Sequence, residues 1–249
     1  MTLLQLENVK VWFGGVRAVD GVDMRLEEGK LYGIIGPNGS GKTTLINAIS
    51  RLTHVTAGRI SYRGSDVTNA PPHLVARAGM ARTFQSIRLL DHLTVRENVL
   101  LGTDRLGDHG GGSRRAALAA AADAADAAIE RLGLQSLAGQ YPDSLAYGTQ
   151  RRVEIARAIA SGAKLLLLDE PIAGMSRTER DEVADVLRAL RADGLTQVLI
   201  EHDLRMVLRT CDFVYVLNLG RNLAQGLPAE TVSLPEVQEA YLGRTHAGA

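Results

Sequence analysis

The chain has 249 residues, 45% of them apolar, which is enough for one large α/β domain or a core domain with a small appended one. Lys plus Arg and Asp plus Glu both number 28, so the net charge is zero and nucleic acid is not expected as a partner. The single cysteine, Cys211, excludes an internal disulfide and reads as a small core residue.

At the start, Met1 to Glu7 has neither a basic region nor an uninterrupted apolar stretch, and no later segment reaches the roughly 18 apolar residues of a membrane span. A soluble chain is expected, with any membrane association made through a partner. Leu4, Leu6, Val9 and Val11, then Val19, Val22, Met24 and Leu26, alternate as in half-buried antiparallel strands. The apolar run Leu31 to Ile35 predicts a buried strand, and Thr44 to Ile49 a helix.

Between strand and helix stands Gly36-Pro37-Asn38-Gly39-Ser40-Gly41-Lys42-Thr43, a phosphate-binding loop in the strand-loop-helix setting that the motif requires. Its glycines let backbone N–H groups curl around an anion, and the helix N-terminus, with Thr44 in its first turn, adds partial positive charge. Lys42 is expected on the β- and γ-phosphates and the Thr43 hydroxyl on Mg²⁺.

Further along, Gly58 to Val67 reads as a short strand and turn, and Pro71-Pro72 opens a helix over His73 to Ala78. Residues 90–160 read as mostly helical, with a glycine-rich loop over 107–113 and an alanine-rich helix from Arg114 to Leu132. Lys164 to Leu168 and Gln197 to Ile200 are continuous apolar runs of parallel-sheet type, joined by an amphipathic helix from Thr178 to Arg191 in a βαβ unit. Phe213 to Leu217 and Leu223 to Gln225 flank a hairpin loop at 218–222, and a final helix covers about 234–242.

The first of those two runs ends in Asp169-Glu170, at the strand edge where ligands of open α/β sheets bind. Asp169 is expected to hold Mg²⁺ and Glu170 to polarise the water that attacks the γ-phosphate. His54, His73, His92, His109 and His246 show no ligand spacing and receive no metal role.

With these motifs in order, the chain resembles the nucleotide-binding subunit of an ATP-binding cassette (ABC) transporter. The resemblance implies that Phe13, in Trp12-Phe13-Gly14-Gly15, stacks on adenine, and that Gln85, in Arg82-Thr83-Phe84-Gln85, approaches Mg²⁺ and the attacking water. It implies that His202, in Ile200-Glu201-His202-Asp203, touches the γ-phosphate. Leu145-Ala146-Tyr147-Gly148-Thr149 is similar to the signature motif, usually Leu-Ser-Gly-Gly-Gln, so Ala146 stands where a serine donates to the γ-phosphate. Losing a hydrogen bond to a charged group costs about 1.5–3 kcal/mol, while the Gly148 N–H and the dipole of a helix starting near Thr149 remain. Ser176 occupies the interface loop after Glu170 where Asp or Asn is usual.

What the resemblance implies is a P-loop NTPase core with a parallel sheet, an N-terminal antiparallel β subdomain and a helical subdomain, forming one ABC ATPase domain over 1–249. The core would take 1–89 and 161–249, and the helical part 90–160. It further implies a dimer, with the signature of one subunit closing on the phosphate loop of a second ATPase subunit, identical or different, with ATP and Mg²⁺ between them.

Local wording, including Phe13-Gly14-Gly15, Arg88-Leu89-Leu90 and Ala240-Tyr241-Leu242-Gly243, is similar to that of branched-chain amino-acid importer ATPases of the longer type. Such importers use two permease subunits and an extracytoplasmic solute-binding protein, which places the ATPase at the cytoplasmic side of the membrane. Importers of urea, amides or another solute are the alternative, followed by a soluble cassette ATPase acting on nucleic acid.

Overall fold

The structure is a computed structural model that describes residues 1–103 and 114–242. The glycine-rich segment 107–113 and Gly243 lie outside the described residues. In chain order the elements begin with β1 (Thr2–Phe13), β2 (Val16–Glu27), β3 (Leu31–Ile35), α1 (Lys42–Ile49), β4 (Ala57–Tyr62), β5 (Ser65–Asp66) and α2 (Pro72–Arg77). There follow β6 (Met80–Arg82), α3 (Val95–Leu100), α4 (Arg114–Arg131), α5 (Tyr147–Ala160), β7 (Leu165–Asp169) and α6 (Arg177–Ala192). The chain continues with β8 (Thr196–Ile200), α7 (Leu204–Thr210), β9 (Phe213–Asn218), β10 (Arg221–Gly226), α8 (Pro228–Val232) and α9 (Pro235–Leu242). These elements fall into two compact units, Met1–Ala78 with Leu190 onward, and Gly79–Ala189.

In the first unit, β1 and β2 form the expected antiparallel pair, joined to β4 and β5 in the order β2-β1-β4-β5. The buried positions of β1 change phase between Leu6 and Val9, because a register shift at Asn8, whose φ is 48°, inserts an extra residue. That bulge explains why even-numbered apolar residues give way to odd-numbered ones along a single strand.

β3, buried at every residue, lies between β8 and β9 and runs parallel to both, which is why it reads as a continuous apolar run. β10 returns antiparallel to β9 through Leu219 and Gly220, with φ of 46° and 78°. This is a tight primed turn, shorter than the loop read from 218–222. The Tyr215 hydroxyl joins the unit's two sheets, accepting from the Arg25 N–H at 3.0 Å and donating to its carbonyl at 2.9 Å. Cys211 belongs to the core, and burial pushes its thiol up to about 12.

In the second unit β6 runs parallel to β7, with Arg82 opposite Leu167. At three residues, β6 is too short to show a periodicity, and the sequence reading placed no strand there. Helices α3, α4 and α5 pack on one another, as the helical reading of 90–160 expected. The buried Asn98 amide donates to the carbonyls of Leu90, Leu93 and Thr94, fixing the approach to α3. Of α4, Ala125, Ala128 and Ile129 are buried, so small side chains set the close packing of this alanine-rich helix.

Candidate functional site

In the first unit, β3 and β8 are parallel neighbours with Ile34 opposite Ile200. The phosphate loop and His202 therefore emerge from adjacent strand ends, about 5 Å apart across the sheet. Two glycines hold the loop close to the unit's backbone. A Cβ on Gly36 (φ 145°) would lie 2.1 Å from the Leu217 carbonyl oxygen, and one on Gly41 (φ 102°) would lie 2.4 Å from that of Ala18. The Lys42 ammonium is buried and donates to the carbonyls of Gly36 at 2.7 Å and Pro37 at 3.0 Å, so it lies across the concave side of the loop.

No side chain caps α1, whose N-cap is Gly41, so its first N–H groups face the loop. The Ser40 hydroxyl is buried with no hydrogen-bond partner among the described residues, an arrangement costing about 1–3 kcal/mol that an anion bound there would relieve. Pro37 is buried, Asn38, Gly39 and Thr43 are exposed, and Thr44 is half-buried in the first turn of α1.

The His202 side chain is 59% exposed, with Nδ1 3.9 Å from Oε2 of the fully buried Glu201. Asp203 caps α7 by accepting from the N–H groups of Arg205 and Met206, which fixes where the chain turns after His202. Phe13 is 54% exposed at the tip of the β1–β2 hairpin and is not part of the core.

In the second unit the ends of β6 and β7 bring Gln85 to Glu170, with Gln85 Nε2 donating to Glu170 Oε2 at 3.0 Å. Glu170 has φ 45°, a left-handed conformation unusual for a non-glycine residue and characteristic of functional sites. Asp169 is buried beside it, and its Oδ2 accepts from Arg82 Nη2 at 2.9 Å. Burial lowers the Arg82 pKa, opposed by the charge of Asp169, and its guanidinium lies 5.0 Å from the centre of the Phe84 ring. The sequence reading assigned no role to Arg82; a basic residue three before Gln85 was the only signal.

The signature stretch leads into α5, which begins at Tyr147, two residues before the expected start. Ala146 at its N-cap makes no side-chain cap, and Leu145 and Thr149 are half-buried. The Gly148 N–H, expected to be left for an anion, donates to Glu179 Oε1 at 3.0 Å. Glu179 Oε2 accepts from the N–H and hydroxyl of Ser176, at 2.9 and 2.7 Å. These bonds lower the Glu179 pKa, that of the Ser176 hydroxyl most. One carboxylate thus ties the signature to the loop carrying Ser176. The Ser-x-x-Glu spacing of a capping box was the signal for it.

Tyr241 was likewise missed: its hydroxyl accepts from the Gly36 N–H at 2.8 Å, joining α9 to the phosphate loop.

Residues 19–173 match the family of ABC transporters. The chain is 36% identical to the high-affinity branched-chain amino acid transport ATP-binding protein BraF of Pseudomonas aeruginosa, covering 97% of this chain and 98% of that one. It is 39% identical, with the same coverage, to the protein LivG of Salmonella typhimurium that carries the same description. Among solved structures, the ADP conformation of MJ1267, an ATP-binding cassette of an ABC transporter, is similar with TM-score 0.87 and 34% identity over 98% of this chain and 99% of that one. The dimeric structure of MJ0796, a bacterial ABC transporter cassette, is similar with TM-score 0.75 and 25% identity over 91% and 99% of the two chains.

Proposed function

The chain belongs to the ABC transporter family, and from that premise we propose that it is the ATP-hydrolysing subunit of an importer of branched-chain amino acids. The observation that carries the reading is full-length similarity, in both directions, to proteins described by that transport.

In the first unit, the N–H groups of the phosphate loop and of the first turn of α1 take the triphosphate oxygens. The Ser40 hydroxyl, without a partner among the described residues, and the uncapped helix fit an anion there. Lys42 leaves its loop carbonyls for the β- and γ-phosphates, His202 meets the γ-phosphate, and Phe13 stacks on adenine. In the second unit, Glu170 takes a proton from the attacking water, which Gln85 helps to orient.

Thr43, Gln85 and Asp169 supply oxygen donors of the hard type that Mg²⁺ prefers, and these are the residues we assign to it. When bound, Mg²⁺ offsets the charge on the phosphate oxygens. Arg82 holds one oxygen of Asp169 and sets how its carboxylate presents the other.

Residues 145–149 face the nucleotide of a second cassette, so the working unit is a dimer of this chain or a pair with another ATPase. Among the described residues no helix is long and apolar enough to cross a membrane. The dimer sits on two membrane permeases at the cytoplasmic face and is served indirectly by an extracytoplasmic solute-binding protein.

The test of the chemistry is Glu170→Gln, which keeps the shape and removes the base. Nucleotide affinity by calorimetry stays unchanged while turnover falls about 100-fold or more. Wild-type turnover overturns the assignment. For the solute, uptake of labelled leucine, urea and a short amide is measured in cells lacking and then regaining the gene; loss and recovery confined to urea or amide refutes the branched-chain reading.

A further inference from the structure

Arg151 lies in the second turn of α5, and its side chain is completely buried. Burying a guanidinium is costly unless its fork of donors finds partners. Nη1 donates to the Phe84 carbonyl and to Glu154 Oε2, and Nη2 to the Gln85 carbonyl, all at 2.6 Å. Glu154 is itself buried; burial pushes its carboxyl up, and among neighbouring charges Arg151 opposes this most. Its other oxygen lies 3.9 Å from Arg157 Nη2.

These bonds have a directional consequence. A rigid, planar guanidinium holding two successive carbonyls fixes the peptide groups on both sides of the Gln85 Cα, and with it the point from which the Gln85 side chain departs. Upstream, the Thr83 N–H donates to the Leu167 carbonyl at 2.9 Å, so the segment is held on β7 as well as on α5. From there the exposed Gln85 amide reaches Glu170 at 3.0 Å.

We propose that Arg151 is a positioning residue for ATP hydrolysis, holding Gln85 against Glu170 and making that pair's alignment depend on the placement of α5. The proposal rests on the roles assigned above to Gln85 and Glu170. The same helix carries Gly148 at its first turn, bound to Glu179. A displacement of the signature is therefore carried to Gln85 through the Arg151 fork rather than through a flexible loop. Because the fork binds backbone carbonyls, no residue type at 84 or 85 reveals it in the sequence.

A double-mutant cycle on turnover tests this, with Arg151→Lys, Gln85→Ala and their combination. Lys keeps the charge but cannot span both carbonyls, and Gln85→Ala leaves those carbonyls in place. Arg151→Lys lowers kcat about tenfold with nucleotide affinity within about twofold; in the Gln85→Ala background the same change lowers kcat less than about twofold.

Equal losses in both backgrounds, or none in either, overturn the proposal. Wild-type turnover in Gln85→Ala overturns the Gln85 assignment together with it, whereas an impaired Gln85→Ala with additive losses overturns the Arg151 role alone. If Arg151→Lys does not fold, Glu154→Gln, which weakens the hold on the guanidinium, is carried through the same cycle with the same outcomes. Amide hydrogen exchange supplies a readout without nucleotide: residues 83–88 exchange faster in Arg151→Lys, and a uniform increase across the chain refutes the local role.

Discussion

Replacing Arg82 by Met leaves the Asp169 carboxylate buried without its cation. The two side chains are only 8% and 6% exposed, and the pair closes at 2.9 Å. For charge centres about 4 Å apart in an effective dielectric of about 20, the attraction is about 4 kcal/mol. Removing one partner of a buried pair costs a similar amount, about 3–5 kcal/mol.

At about 2–4 °C per kcal/mol for a chain of this size, about 3–5 kcal/mol lowers the thermal midpoint by about 6–20 °C. Circular dichroism melts of the nucleotide-free protein measure it, alongside Asp169→Asn and the double variant. The double variant should be less destabilised than the sum of the singles by at least about 1.5 kcal/mol, since it buries no unpaired charge. An Arg82→Met variant within about 1 kcal/mol of wild type refutes the idea that this cation holds Asp169 in place.

Gly41→Ala forces a Cβ to within 2.4 Å of the Ala18 carbonyl oxygen at φ 102°, so the phosphate loop must shift. Nucleotide affinity by calorimetry falls about tenfold or more, and an unchanged affinity contradicts the loop's reliance on that close approach. Glu179 carries a pH signature. Its folded pKa is depressed, chiefly by the Ser176 hydroxyl, so its stabilisation is present above the unfolded carboxyl pKa and is lost as pH falls through the folded one. The gap in thermal midpoint between wild type and Glu179→Gln at neutral pH therefore closes in acid; a gap independent of pH assigns the effect to shape instead of charge.

The sequence revealed what depends on side-chain type at a fixed spacing. The run Leu31 to Ile35 identified a buried strand, and it is found, since parallel strands covered on two faces read as continuous apolar stretches. Contacts to the backbone left no such trace. Arg151 and Tyr241 bind carbonyl or N–H groups that every residue possesses, and the partner of Tyr241 is 205 positions away. Glu179 was missed: the Ser-x-x-Glu spacing could have pointed to its bond with Ser176, but its other oxygen reaches Gly148, 31 positions away, which no local pattern shows. The three-residue β6 fell below any periodicity, although its pairing with β7 brings Gln85 to Glu170.

The hydrogen bond from the Gly36 N–H to the Tyr241 hydroxyl sets an order of events during synthesis. The phosphate loop is translated early, yet the carbonyl that crowds Gly36 comes from Leu217 and the hydroxyl that anchors it from α9. At about 5–20 residues per second, the 205 positions separating the partners take about 10–40 s to make. Over that interval the nascent chain carries a nucleotide-binding motif without its completed frame. Only when α9 has emerged can the Gly36 N–H meet the hydroxyl that accepts from it in the folded chain.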